Sequence, residues 1–504
     1  MRGNRERWTS RPLGASGLAL LLVGLSACRV GPTYKVPSAP SAPAFKEQPP
    51  PEFKEAGDWQ PAQPSDGLMK GKWWELYNDP VLNQMEEQVS ISNLNLLQAE
   101  AQYRQARSAV LTARAALFPT AGASPSISEA RGGTISKTVT PNGKSELLSG
   151  SSNTQYTLPL TASWEPDLWG SIRRGMTAAA ATAQASAAQL ENLRLLYQSE
   201  LAQDYFQLHG TDSDVDLLNR TAKSYEEYVV LTRNRFAGGI ASDLDVAQAE
   251  AQLYATQAEM QDLGVARAQL EHAIAVLTGK PPAEVTIQAQ VLKNPPPVFP
   301  VVVPSALLER RPDIANAERT MAAANEQIGI TQAAFYPTLS LSGTLGLESL
   351  SIAKWFTGPS RFFAVGPSLA ETLFDAGRRR AAVAGAQAAY DATVAAYRQS
   401  VLNAFAQVED ELAALRVLAE ESVTATDSVK AANRALDVST AQYKAGTTSY
   451  LTVITAQGTA LAAQETLVNL LTRRLVASVA LIQALGGGWD STQLPGKRDL
   501  TAGK

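Results

Sequence analysis

At 504 residues the chain is long enough for two or more ordinary domains. Charged residues make up 18% of it and the formal net charge is −4, which excludes the basic surface that a nucleic-acid partner requires. Two His and one Cys are too few for a zinc or iron–sulfur centre built from those ligands. No nucleophile–base arrangement, phosphate loop or metal cluster stands out, so no enzyme, catalytic residue or bound cofactor is expected.

The N-terminus opens with Arg2, Arg5, Arg7 and Arg11, followed by a short apolar run from Leu13 to Leu25. That run is about half of what a membrane span needs and reads as a signal peptide over 1–27. It ends Leu25-Ser26-Ala27-Cys28, small residues before a cysteine, as in the bacterial lipobox. Cys28 would then carry a covalent lipid and begin the mature chain; the alternative is a plain signal peptide. Residues 28–70 are Pro-rich and lack periodicity, and read as an extended tether with a polyproline II bias.

Order is expected from Trp73-Trp74 and Asp79-Pro80 onward, in a first unit covering 71–279. A helical Ala/Gln/Leu/Arg pattern over about 93–117 stops at Phe118-Pro119-Thr120, because Pro119 cannot continue it. The period then changes to two, giving strands at about 120–131 and 154–166 around a polar loop. Asp167 and Gly170 follow, a cap and a residue that permits the bend into the next helix. From Ser171 to Phe236 there is no proline, and a helix of that length spans roughly 100 Å. His209-Gly210 weakens this pattern without ending it.

The pattern breaks at Arg235-Phe236-Ala-Gly-Gly239-Ile-Ala-Ser242-Asp243-Leu244-Asp245-Val246 and restarts as a returning helix over about 243–277. A linker at 280–304 leads to a second unit at 305–487. It has a helix ending at Pro337, strands at about 338–349 and 361–373, then Asp375 and Gly377, and a second long helix. Its break, Gln442-Tyr443-Lys-Ala-Gly446-Thr-Thr-Ser449-Tyr450-Leu451-Thr-Val453, lies 207 positions after the first. Matching turns between matching helices imply an internal two-fold repeat. The tips would fall at about 236–243 and 444–450. In each unit a returning helix of about 35 residues and a helix of about 25 to 30 would stack end to end beside the long one. The gap between them, midway along the helices, would hold a mixed belt made of 71–92, 279–304 and the tail at 488–504.

Strands with one apolar and one polar face suit a transmembrane β-barrel or a soluble sheet with one wet face; the lipobox and long helices favour the barrel. Four strands cannot close one, and an open edge cannot survive in lipid. Three chains would supply 12 strands and a wall of 12 helical strands. A coiled-coil structural lipoprotein is disfavoured, because no heptads with apolar a and d positions are sustained.

These words in this order resemble the TolC-like outer-membrane efflux factors, specifically the NodT-type lipoprotein branch. They include Cys28 with Val30-Gly31-Pro32-Thr33-Tyr34, Trp73-Trp74, the two tips, Leu270-Glu271-His272, Arg310-Arg311-Pro312-Asp313-Ile314 and Phe335-Tyr336-Pro337. The resemblance implies a homotrimer with a 12-stranded barrel in outer-membrane lipid, continued by an α-helical barrel across the periplasm. It implies a passive exit duct joined by a periplasmic adaptor (membrane fusion) protein to an inner-membrane RND transporter. Drugs or toxic compounds would be its cargo; type I protein secretion and metal efflux are the alternatives. The tips become the adaptor-docking end through Arg235, Phe236, Gly239, Ser242, Leu244, Tyr443, Gly446, Ser449 and Leu451. Gate candidates are Asp243, Asp245, Tyr450 and Thr455. Many relatives carry an acidic residue at the Thr455 position, so an acidic ring would come from Asp243 and Asp245 instead. Those two residues are equally a favourable helix start.

Overall fold

The computed structural model describes residues 29–40, 44–47, 71–131, 137–139, 145–147, 152–297 and 309–502. Cys28, the signal segment and most of the Pro-rich stretch lie outside the described residues.

Two helices of 67 residues dominate, α3 (Ser171–Ala237) and α6 (Arg378–Lys444). Each is followed by a returning helix of 35 residues, α4 (Asp243–Leu277) and α7 (Tyr450–Ala484). Each is preceded, across the strands, by one of 22 residues, α2 (Leu94–Ala115) and α5 (Pro312–Ala333). The second of these is shorter than the expected 30, because Arg310-Arg311-Pro312 serves as its entry rather than its first turn. Below the midpoint α4 and α7 flank α3; above it α2 and α5 do, and α6 packs on α5 and α7.

Each long helix therefore runs beside two stacked halves, and the joints between halves are built alike. Asn93 accepts from Asn95 N and Leu96 N at the start of α2, while its amide donates to Leu277 O at the end of α4 (2.9 Å). Arg311, the residue before α5, donates to Ala484 O of α7 (2.9 Å). Gly279 and Gly486 have φ of +71° and +94°. A Cβ there would lie 2.2 Å from Ser92 O and 2.1 Å from Arg310 O respectively. Only glycine admits both the backbone conformation and the close approach. Gly210 acts similarly within α3: a Cβ would lie 2.4 Å from Thr472 Oγ1 of α7, so the glycine sets a close helix crossing and leaves the helix unbroken.

The sheet is antiparallel. Its first strand path comprises β1 (Thr120–Ala123) and β2 (Ser126–Arg131), both paired with the strand Ser152–Trp164. The break at Ser124-Pro125 was not expected. The register passes through it unchanged, from Ala123↔Leu160 to Ser126↔Thr157, because proline merely withholds a ladder donor. The polar loop between these strands contains a small hairpin, β3 (Lys137–Val139) with β4 (Ser145–Leu147). The long strand Ser152–Trp164 is thus β5; it pairs with β6 (Thr338–Ser349), and β6 pairs with β7 (Arg361–Ala370). Observed ends at Trp164 and Ala370 fall short of the expected 166 and 373.

The belt is centred where expected. Trp73, Trp74, Leu82 and Val89 pack against Tyr205 and Phe206 of α3, Val408 and Leu412 of α6 and Leu481 of α7. Trp73-Trp74 opens a 3-10 turn, and α1 (Pro80–Ser92) is capped by Asp79, which accepts from Val81 N and Leu82 N. Asp212 accepts from Gln290 N (3.1 Å) and Arg267 Nε (2.7 Å), and Glu271 accepts from Ile287 N (2.6 Å), docking the extended segment after α4. The C-terminal tail does not join the belt. Trp489 packs on Ala188 and Ala315, and α8 (Lys497–Thr501) lies against α2, where Arg107 and Arg114 donate to Ala502 O and Thr501 O. These two arginines capture its terminal carbonyls and draw the tail toward the sheet.

Residues 29–40 and 44–47, expected as part of an extended tether, are held against the helices. Val30 N donates to Trp169 O (3.1 Å) at the sheet end of α3. Lys46 N and Glu47 N donate to the Glu409 carboxylate at mid-α6 (2.7 and 2.8 Å). The segment forms a strap down the α5–α6 groove.

Candidate functional site

Three levels bear on function: the sheet, the mid-tube and the tips. In the sheet, rows of partners share a face. Ala121, Ala162, Gly343 and Val365 stand opposite one another, as do Ala123, Leu160, Leu345 and Phe363. Leu160, Leu345, Phe363, Val365 and Leu369 are 52 to 83% exposed. The other face is a hydroxyl ladder, with Thr120–Ser163 at 2.9 Å and Ser126–Thr157 at 2.7 Å. Aromatic residues lie at both ends. Tyr156 packs on Trp355 (5.6 Å) and Trp355 on Phe356 at one, and Trp169 stacks on Tyr336 (4.8 Å) at the other. Tyr156 and Trp164 are eight steps apart on β5, about 27 Å along the strand, close to the length a tilted strand needs to cross the apolar core of a bilayer.

At Pro119 and Pro337 the chain turns from helix to strand; after Asp167 and Asp375 it turns back. The aspartates cap from outside the N-cap position, which is Gly170 (φ +81°) in one case and Gly377 (φ +90°) in the other. Asp167 accepts from Ile172 N and Arg173 N (3.1 and 2.9 Å). Asp375 accepts from Gly377 N and Arg379 N (3.0 and 3.2 Å), and Arg379 Nε at 2.7 Å holds its carboxyl below the usual range.

At mid-tube, Glu200 and Asp204 of α3 point away from Ala202, Tyr205 and Phe206, which face the belt, given 100° per residue. Burial and then Glu200 push Asp204 up to about 6. Burial and then Glu259 of α4 push Asp214 up to about 6. Glu465 of α7 is raised by burial, then by Glu259 and Asp214. Glu411, raised by burial and then Asp410, stands 207 positions after Asp204. Sequence reading missed these acids; the Glu200/Asp204 spacing on a helix otherwise rich in Ala and Gln was the available signal.

The two tips share a backbone. Ile240 N donates to Arg235 O and Gly239 N to Phe236 O, both 2.9 Å; Thr447 N donates to Gln442 O and Gly446 N to Tyr443 O, both 3.0 Å. Gly239 and Gly446 have φ of +67° and +77°, the left-handed residue that closes such helix ends. Their side chains differ. Phe236, Leu244 and Leu451 are 47, 63 and 58% exposed, whereas Tyr443 and Tyr450 are 3 and 1% exposed. Arg235 lies over the Tyr443 ring (4.6 Å) and donates to Lys444 O (3.3 Å), joining one tip to the other.

Ser242 and Asp245 form a capping box: Asp245 N donates to Ser242 Oγ (3.2 Å), and Ser242 N to the Asp245 carboxylate (3.1 Å). Ser449 begins α7 without a side-chain cap. Of the gate candidates, Tyr450 is buried in this chain, its ring tilted against that of Tyr443 with centroids 5.2 Å apart. Asp245 is committed to its cap, Thr455 is exposed and donates to Leu451 O, and Asp243 is exposed.

The sequence profile of the family described as "Outer membrane efflux protein" matches residues 87–280 and 303–487. The chain belongs to this family. Among similar proteins is the probable efflux pump outer membrane protein TtgC of Pseudomonas putida, 29% identical over 475 residues, covering 94% of this chain and 95% of TtgC. The pyoverdine export outer membrane protein OpmQ of Pseudomonas aeruginosa is 31% identical over 439 residues, covering 85% and 89%. The solved structure of the outer-membrane channel OprN superimposes with a TM-score of 0.81 at 30% identity, covering 92% of this chain and all of that one. As a family member the chain is an outer-membrane efflux channel.

Proposed function

We propose that three copies form the exit duct of a tripartite RND-type efflux system. The single observation that carries this is the sheet: among the described residues both outer strand paths are unpaired on one side, and one broad face is exposed and apolar. In a bilayer each unsatisfied backbone group costs several kcal/mol, so the edge of β1–β2 must meet another β7. Three chains give 12 strands, and three helix walls close the tube beneath. The matching 67-, 22- and 35-residue helices support an internal two-fold repeat. Units at 71–279 and 305–487 are its boundaries.

The tips form the periplasmic end. Exposed Phe236, Leu244 and Leu451 offer an apolar rim to a periplasmic adaptor, which connects to the inner-membrane RND transporter. Cys28 carries the lipid. Because the belt must lie outside the tube, Glu200, Asp204, Asp214 and Glu411 line the lumen and make it cation-preferring. Asp243 adds charge at the entrance, with Thr455 neutral. Cross-linking in native membranes should yield a trimer, and the purified protein should conduct in planar bilayers; a monomer as the only species would overturn the proposal.

A further inference from the structure

The start of the strap is held by a composite site that neither the tips nor the lumen uses. Arg174 of α3 is 2% exposed and pairs with Glu326 of α5 at 2.7 Å. The same guanidinium donates to Val30 O at 2.6 Å and Pro32 O at 3.0 Å. Arg29 reaches the same Glu326 oxygen at 2.6 Å. Between these contacts Gly31, at φ +103°, lies so close to Gly329 of α5 that a Cβ would be 2.5 Å from its Cα. A Cβ on Gly329 would in turn lie 2.3 Å from Arg174 Nε.

We propose that Arg174, Glu326 and the Gly31–Gly329 contact form a lock that seats the chain's own N-terminal strap and holds the acylated end at the rim of the sheet. The site exists only when α3 and α5 are packed side by side, since each supplies half of it. Without the strap, the buried Arg174 loses two carbonyl acceptors and Glu326 one of its two cations, an arrangement that is costly in a desolvated pocket. The strap therefore completes the upper wall. Farther down, Arg398 Nε donates to Ser38 O (3.3 Å) and Arg416 pairs with Glu47 (2.9 Å), so the same segment links the rim to the belt. The lock rests on the reading of Cys28 as the lipid site only for what it anchors; the seating itself involves polypeptide alone.

The test uses the full-length protein in membranes, with trypsin and mass spectrometry of the new N-terminus Val36. Cleavage after Lys35 requires the strap to open locally. Arg174→Met should speed that cleavage by at least about tenfold. Gly31→Val, which leaves the Arg174–Glu326 pair in place, should do the same without loss of conductance. Cys28→Ala should leave the cleavage rate at that of the parent. Unchanged protection in both strap-site variants would overturn the lock, as would release of the strap by Cys28→Ala alone. Lipid labelling is scored separately: labelling that persists in Cys28→Ala removes the acylation reading and leaves the lock standing.

Discussion

The two helix tips share backbone hydrogen bonds at a constant offset of 207 positions, yet equivalent side chains meet different surroundings. Phe236 is half exposed, while its counterpart Tyr443 is buried beneath Arg235 of the other tip. One start is closed by a capping box, and the other has none. Backbone geometry is thus symmetric where glycine enforces it. Packing is asymmetric because one tip supplies the arginine and the other the aromatic ring. Side-chain roles at such sites must be read from contacts and not from alignment of the halves.

The largest effect should come where the halves agree. Gly279→Val and Gly486→Val each force a side chain into a carbonyl contact near 2 Å at positive φ. Each should destabilise by more than about 3 kcal/mol, seen as loss of folded protein or a strongly lowered Tm. A large effect in only one half would break the symmetry claimed for the joints. Next comes the contrast within the tips. Tyr450→Ala should cost about 3 to 5 kcal/mol, as for other buried aromatics, while Phe236→Ala should change Tm little. Equal effects in thermal melting would refute the asymmetry.

Asp245→Asn removes half of a capping box and should cost about 1 kcal/mol. Asp243→Asn should leave stability unchanged and lower cation preference in planar bilayers. The smallest effect concerns Asp204 and Asp214, both pushed up to about 6. Raised carboxyls are harder to ionise folded than unfolded, so their ionisation destabilises the native state above about 6. That penalty is relieved as pH falls through 6 toward the unfolded value. Tm at pH 5 should therefore exceed the pH 7 value by a small margin, and Asp204→Asn with Asp214→Asn should flatten the difference. Cation preference should fall over the same interval.

Much of the fold was legible because proline, glycine and period changes act locally. The returning helix Asp243–Leu277 has the bounds its Ser242 start and Gly279 stop imply, and Pro119 and Pro337 mark the turn into strands. What escaped depends on partners distant in sequence. Residues 29–40 and 44–47 have no periodicity, and their conformation follows from Arg174, Glu409 and Arg416. The tail is placed by Arg107 and Arg114 of α2, which no pattern near residue 500 announces. The burial of Tyr450 likewise comes from the packing of α3, α4 and α6 around α7, which its neighbours in sequence do not announce.

The stitched joints have an electrical consequence. At each one the last carbonyls of a half-helix face the first amide groups of the next, so the peptide dipoles of α4 and α2, and of α7 and α5, run head to tail as single columns. Each column runs opposite to the 67-residue helix beside it. Neighbouring macrodipoles of similar length and opposite sense cancel across the wall, and the stitched joints leave neither half-helix end free to attract an ion. The paired long and stacked helices therefore contribute almost no net field across the wall, which leaves charge selection to side chains.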